Sequence, residues 1–329
     1  MNKTSLLSFF IVVSISITAK TVYAQDPAFS QTYANPLYLN PAFAGTGASE
    51  RIGLNYRNQW PAIPGNFDTY NASYDRNIID SNNSIGLLLT NNEAGNTTYT
   101  TNVSLIYAHQ FHIKSFTLSA GVQATYLQKS IDESKLNFGY TGSIGGFTYQ
   151  PETVLLRTTV SLADFSAGIL GYDKNYFVGF SIDHLSQPDE SFVQGTSPLP
   201  LKYTANAGLM IPIGSLILSP TLLYEKQDDF NQDVVEGYLR IKHFTVGIGT
   251  RFVAAYDYSQ DIYSNLSWNA MIFTIGYQNK LLRIGYSYDY STSRLQLATG
   301  GTHEASLAFL IPYSSAKYKK TNSINCPAF

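Results

Sequence analysis

The chain has 329 residues and a formal net charge of −2, so length allows one large domain or two ordinary ones, and charge offers no basic footprint for nucleic acid. Charged residues are only 13% and aromatics 14%, with 25 Tyr, 19 Phe and 24 Gly, a mixture rich in strand and interface formers and poor in helix-favouring Lys, Glu and Arg. A single cysteine, Cys326, excludes an internal disulfide and leaves a tolerated tail residue or an intermolecular bridge.

Residues 1–24 read as a secretory signal peptide. Lys3 supplies the positive start, "LLSFFIVVSISI" the apolar run, and Val22-Tyr23-Ala24 the small-residue cleavage site before Gln25. Gln25, not Cys, comes immediately after that point, so no lipid anchor is implied. Beyond it no stretch approaches the ~18 apolar residues of a spanning helix. The best run, from Leu209, is broken by Pro212, Gly214, Ser215 and Pro220. Any crossing of a membrane must then use a closed sheet, the other structure that satisfies every backbone group in lipid.

Residues 25–49 lack strand alternation and carry Asn-Pro steps at Asn35-Pro36 and Asn40-Pro41, which favour turns and extended chain. From residue 50 to 313 period-two segments recur. Ile52, Leu54, Tyr56 and Trp60 oppose Arg51, Gly53, Asn55, Arg57 and Gln59. Phe116, Leu118, Ala120, Val122, Ala124 and Tyr126 oppose Thr117, Ser119, Gly121, Gln123 and Thr125. Phe244, Val246, Ile248 and Phe252 oppose Thr245, Gly247, Gly249 and Arg251, and Ile284, Tyr286, Tyr288 and Tyr290 oppose Arg283, Gly285, Ser287 and Asp289. The last such segment sets Ala305, Leu307, Phe309 and Ile311 against Thr302, Glu304 and Ser306. Together these predict an all-β fold, a transmembrane antiparallel outer-membrane barrel of about fourteen strands with short periplasmic turns and longer extracellular loops. Tight links at Lys114-Ser115, Asp173 to Asn175, Pro212 to Ser215, Lys242-His243 and Asn279-Lys280 alternate with longer stretches such as Asn91 to Thr98 and Leu185 to Leu201. The charges Arg51, Arg57, Arg251, Arg283, Asp289 and Glu304 all fall on the small, polar face, which assigns that face to the lumen. There they form a structural ion-pair network or line an aqueous pore. Arg57 and Glu304 sit on the first and last strands, which meet when a barrel closes. Residues 314–329 form a polar periplasmic tail, either a solvated end or, through Lys317, Lys319 and Lys320, a docking element.

Catalytic chemistry is thin. His109 and His112 point to opposite faces of a strand and make no metal pair, and Gly145-Gly146 and Gly300-Gly301 precede no helix that could cradle a phosphate. No enzyme, metal or cofactor is expected.

Family-like stretches run through the chain in order. They are "DPAFSQ" and "NPLYLNPAFAG" within Asp26 to Gly45, "YRNQWP" from Tyr56, "ASYD" from Ala72, "YAH" from Tyr107, "DFSAGI" from Asp164, "VGFSIDHLSQP" from Val178, "GTRF" from Gly249, "IGYSYDY" from Ile284, "GGTHEASLAF" from Gly300 and the terminal "NCPAF". On them the chain resembles the PorP/SprF family of type IX secretion system membrane proteins of Bacteroidetes. The resemblance implies a barrel in the cell outer membrane that binds, anchors or assists export of a secreted surface protein, such as an adhesin used in gliding motility. Its implied partners are the adhesin's C-terminal domain, periplasmic secretion components, or both. By matching positions, Asn35, Pro36, Asn40, Pro41, Gly45, Arg57, Gln59 and Trp60 are candidates for partner binding or for a lumen plug. The competing readings are a passive solute porin and a secreted soluble β-protein.

Overall fold

The computed structural model of the protein describes residues 25–78, 81–136, 143–144, 147–148, 157–257, 262–263, 267–292 and 296–313. Residues 1–24, expected to be a signal peptide, Gly145-Gly146 and residues 314–329 with Cys326 lie outside the described residues. Fourteen long strands dominate the rest: β1 (Ser49–Gln59), β2 (Phe67–Asn77), β3 (Asn83–Ala94), β4 (Thr98–Ile113), β5 (Phe116–Ile131), β6 (Thr159–Asp173), β7 (Tyr176–Asp183), β8 (Lys202–Leu209), β9 (Leu216–Gln227), β10 (Phe230–Ile241), β11 (Phe244–Asp257), β12 (Ser267–Gln278), β13 (Leu282–Ser291) and β14 (Thr302–Pro312). Each is antiparallel to the next, β8 pairs with β9, and β1 pairs with β14 from Ser49↔Pro312 to Gln59↔Thr302. The sheet therefore closes on itself. Closure leaves no edge whose N–H and C=O groups would face hydrocarbon unpaired.

The two faces divide as alternation requires. On β5, Leu118, Val122 and Tyr126 are exposed on the outside while Thr117, Ser119 and Thr125 are buried within. Leu105, Ile169, Val178, Val246 and Ile275 continue the exposed apolar surface around the barrel, as a wall facing lipid tails demands.

One end of the barrel carries the tight links Lys114-Ser115, Lys174-Asn175, Gly214-Ser215 and Lys242-His243. Lys114, Gly214 and Lys242 take φ of 56°, 62° and 55°, the left-handed backbone that tight hairpins use. β1 begins and β14 ends at this end, which by the rule of short periplasmic turns is periplasmic. The other end holds the long connections, yet the length alternation is not strict. β3 and β4 stay paired to Ala94↔Thr98, so Gly95 to Thr97 is the whole connection where Asn91 to Thr98 reads as a loop in the sequence. Asp228-Asp229 is shorter still. Strands that rise past the bilayer into water need no apolar alternation there. Asn91 and Asn92 instead bond across the ladder to Thr101 and Thr69, each at 2.8 Å. Trp60 is a second correction. It lies past the end of β1 at φ 63°, donates its N–H to the Gly301 carbonyl at 2.9 Å and packs edge-on against Phe67, so it is no part of the lipid face.

Residues 26–48 run through the lumen as short helical turns, Thr32–Ala34, Pro36–Leu39 and Pro41–Phe43. Both Asn-Pro steps start a turn, with Pro at the first helical position, where its missing N–H costs nothing. Asn40 accepts from the Ala42 N–H at 2.8 Å as a cap. Leu37, Ala42 and Phe43 pack on Leu88, Ile106, Leu170 and Phe177 of the wall, and Leu39 packs on Leu223, Val234 and Ile272.

Candidate functional site

The lumen is the site, and four wall charges grip the N-terminal segment at its centre. Glu304 on β14 accepts both the Ser30 N–H at 2.7 Å and the Gln31 N–H at 2.9 Å. The Ser30 hydroxyl donates to Asp289 at 2.6 Å and accepts from Arg57 and Arg251, each at 2.7 Å. Arg57 and Glu304 are 3.2 Å apart and Arg251 and Asp289 2.9 Å. All four charged side chains are nearly inaccessible, and charges taken out of water in this way are tolerable because each faces an opposite charge and a hydrogen-bond partner. Of the other two lumen charges, Arg51 pairs with Asp75 at 2.8 Å near the periplasmic end. Arg283 stands apart from the cluster.

On the opposite wall, Ser119 and Ser181 donate to the Ala42 and Leu39 carbonyls, both at 2.8 Å, and the Asn40 amide donates to Ile169 and Phe180 carbonyls at 3.0 and 3.2 Å. Gly45, at φ 67°, donates its N–H to Asp75 at 2.8 Å, and an added Cβ there would collide with Ser84. Asn35, Pro36, Asn40, Pro41 and Gly45 are thus packed between segment and wall. The Asn35 amide makes no hydrogen bond among the described residues. Gln59 and Trp60 sit apart from them, lining an outer chamber of about 740 Å³ that opens toward the long loops. A second chamber of about 740 Å³ lies on the periplasmic side of the segment.

A further polar cluster holds the start of the segment to the outer rim. His184, just past β7, bonds through Nδ1 to Asp164 at 2.7 Å and through Nε2 to Asp26 at 2.9 Å. The Asp26 N–H donates to Gln227 at 2.9 Å, and Lys202 reaches Glu225 at 3.0 Å. Burial alone would lower the His184 pKa, but the flanking Asp26 and Asp164 carboxylates outweigh it and hold the imidazole at about 10. Burial likewise works to raise the Asp26 pKa, yet His184 and Lys202 bring it below the usual carboxylate range. Sequence reasoning missed this cluster, although Asp26 and His184 both lie in stretches that carry the family resemblance. His109 and His112 have separate partners, Asn83 at 2.7 Å and Thr117 at 3.0 Å, and no cluster of His, Cys, Asp and Glu suited to a metal occurs among the described residues.

Comparison with the curated proteins finds no match. Among solved structures, the Ralstonia pickettii toluene transporter TbuX superposes with a TM-score of 0.50 at 10% identity, covering 85% of this chain and 94% of that one. A TodX mutant, a monoaromatic hydrocarbon channel, gives 0.50 at 10% identity over 84% and 94%. The Acinetobacter baumannii outer membrane protein Omp33 gives 0.43 at 8% identity over 82% and 100%. At such identities the likeness to the first two is one of fold alone. The family profile described as type IX secretion system membrane protein PorP/SprF matches residues 21–309. Proteins of that family are non-catalytic outer-membrane barrels whose general role is translocation and anchoring of surface proteins. The chain belongs to the PorP/SprF family of type IX secretion system outer-membrane proteins.

Proposed function

We propose that this barrel holds one secreted surface protein at the outer membrane through its outer chamber and loops, with residues 25–49 as a resident plug. The observation that carries this reading is the lumen centre, where Ser30 and Gln31 together engage Glu304, Asp289, Arg57 and Arg251 of the wall. A wall whose central charges are engaged by its own chain serves as a rigid platform better than as a solute path. Gln59 and Trp60, reachable from the outer chamber, are the contact residues of first choice. A secreted adhesin's C-terminal domain is the partner expected at that face, and periplasmic secretion components are expected at the other.

Affinity purification of the full-length protein from native membranes in mild detergent tests the reading. A secreted surface protein should co-purify, and Trp60→Ala should reduce its yield without reducing the barrel's own. Purification of the barrel free of any secreted protein would remove it.

A further inference from the structure

We propose that the periplasmic chamber is a binding site for an acidic polypeptide segment. The proposal concerns the end of the barrel opposite the cargo-facing rim and stands whether or not the cargo reading holds.

The first observation is charge. Arg51, Arg240, Lys242, His243, Lys280 and Arg283 line the chamber, and among the described residues no Asp or Glu does. The whole chain carries a net charge of −2, and the outer chamber sets carboxylates such as Asp26, Asp183 and Asp289 beside its cations. One-signed lining is therefore particular to this chamber.

Unmet bonding capacity is the second. Arg51 gives Nε to Asp75, but its Nη2 is buried and has no hydrogen-bond partner among the described residues. Arg283, on the lumen face of β13, has neither a hydrogen bond nor an ion pair among the described residues. A guanidinium in a confined lumen without counter-charge, as at Arg283, is costly, and a planar carboxylate matches its geometry in two parallel hydrogen bonds.

Shape and access favour a polypeptide over a free ion. Phe43, Met210, Ile217 and Leu223 form an apolar wall in the same chamber, which a small anion would leave in contact with water but which apolar side chains between carboxylates would cover. The volume of about 740 Å³ suits several side chains. Lys242 and Lys280 are exposed on the turns of the periplasmic rim and draw an acidic chain inward by focusing the field at the mouth.

The test uses the full-length protein in nanodiscs of zwitterionic lipid and a fluorescent peptide of about ten residues alternating Glu and Leu, sized to the chamber, followed by anisotropy. The expected result is saturable binding that weakens with salt, roughly tenfold or more weaker in Arg283→Ala and retained in part by Arg283→Lys. Lys280→Glu, on an exposed turn where folding is not at stake, should weaken binding too. Lys174→Ala, at the same end but outside the chamber, should not. Equal binding of the peptide with Gln in place of Glu, no effect of Arg283→Ala and Lys280→Glu, or inorganic phosphate binding as tightly as the peptide would each overturn the assignment.

Discussion

Arg57 and Glu304 stand opposite each other across the seam where the first and last strands meet, their side chains 3.2 Å apart, and the same two residues grip Ser30 of the lumen segment. Barrel closure and segment docking therefore share one ion pair. Removing Glu304 leaves the buried Arg57 with only its longer contact to Asp289, at 3.4 Å, as counter-charge. Glu304→Ala should cost about 3–5 kcal/mol, read as a lowered urea midpoint of the refolded barrel. A double-mutant cycle with Arg57→Ala should show coupling of about 0.5–3 kcal/mol, and additive losses would contradict the shared role.

The segment's fit can be probed from the wall. Gly121 on β5 lies against the backbone of Pro41 and Ala42, with no room for a Cβ. Gly121→Leu should displace the segment while leaving the strand paired. In planar bilayers the unaltered protein should be silent and the variant should show conductance steps. Equal conductance of the two would show that the segment does not seal the lumen.

The His184 latch sets a pH window. Its pKa is raised to about 10, so its stabilisation is complete below the unfolded value and is lost as pH rises through about 10. Asp26 is lowered, so its share is present above the ordinary carboxylate value and lost as pH falls toward its folded one. Near neutral pH both are charged. Hydrogen exchange at the Asp26 amide, which donates to Gln227, should stay slow relative to an open chain at pH 7 and lose that protection above about pH 10. His184→Gln should remove the alkaline transition. A transition near pH 6.5 in the unaltered protein would show an ordinary histidine instead.

Depth on the lipid face should grade the cost of a charge. Leu105 lies mid-strand on β4 and Ile113 at its periplasmic end, both exposed on the outer face. Leu105→Arg should cost about 2–4 kcal/mol and Ile113→Arg no more than about 1 kcal/mol, measured by reversible folding into bilayers. Equal costs would place the membrane elsewhere on the barrel.

Much of the architecture is legible because a closed sheet in lipid forces alternation. Thr117, Ser119 and Gly121 against Leu118, Ala120 and Val122 suffice to orient β5. The rims are less legible. Polar runs such as Asn91-Asn92 read as loops although they are strand, since beyond the bilayer nothing selects apolar residues. The lumen's apolar islands also escape a rule that assigns the polar face inward. Leu88, Ile106 and Ile272 point inward because the segment's Leu37, Phe43 and Leu39 cover them, and only the folded chain brings those pieces together. The same holds for Asp26 and His184, whose separation of 158 positions hides their contact.

Whether the barrel serves display of a secreted surface protein is decided by deleting its gene and comparing the proteomes of cell surface and culture medium. Loss of one large adhesin from the surface, with other cargo of the same secretion system retained, is the predicted result. An unchanged surface and medium would contradict the account and leave a solute channel in its place.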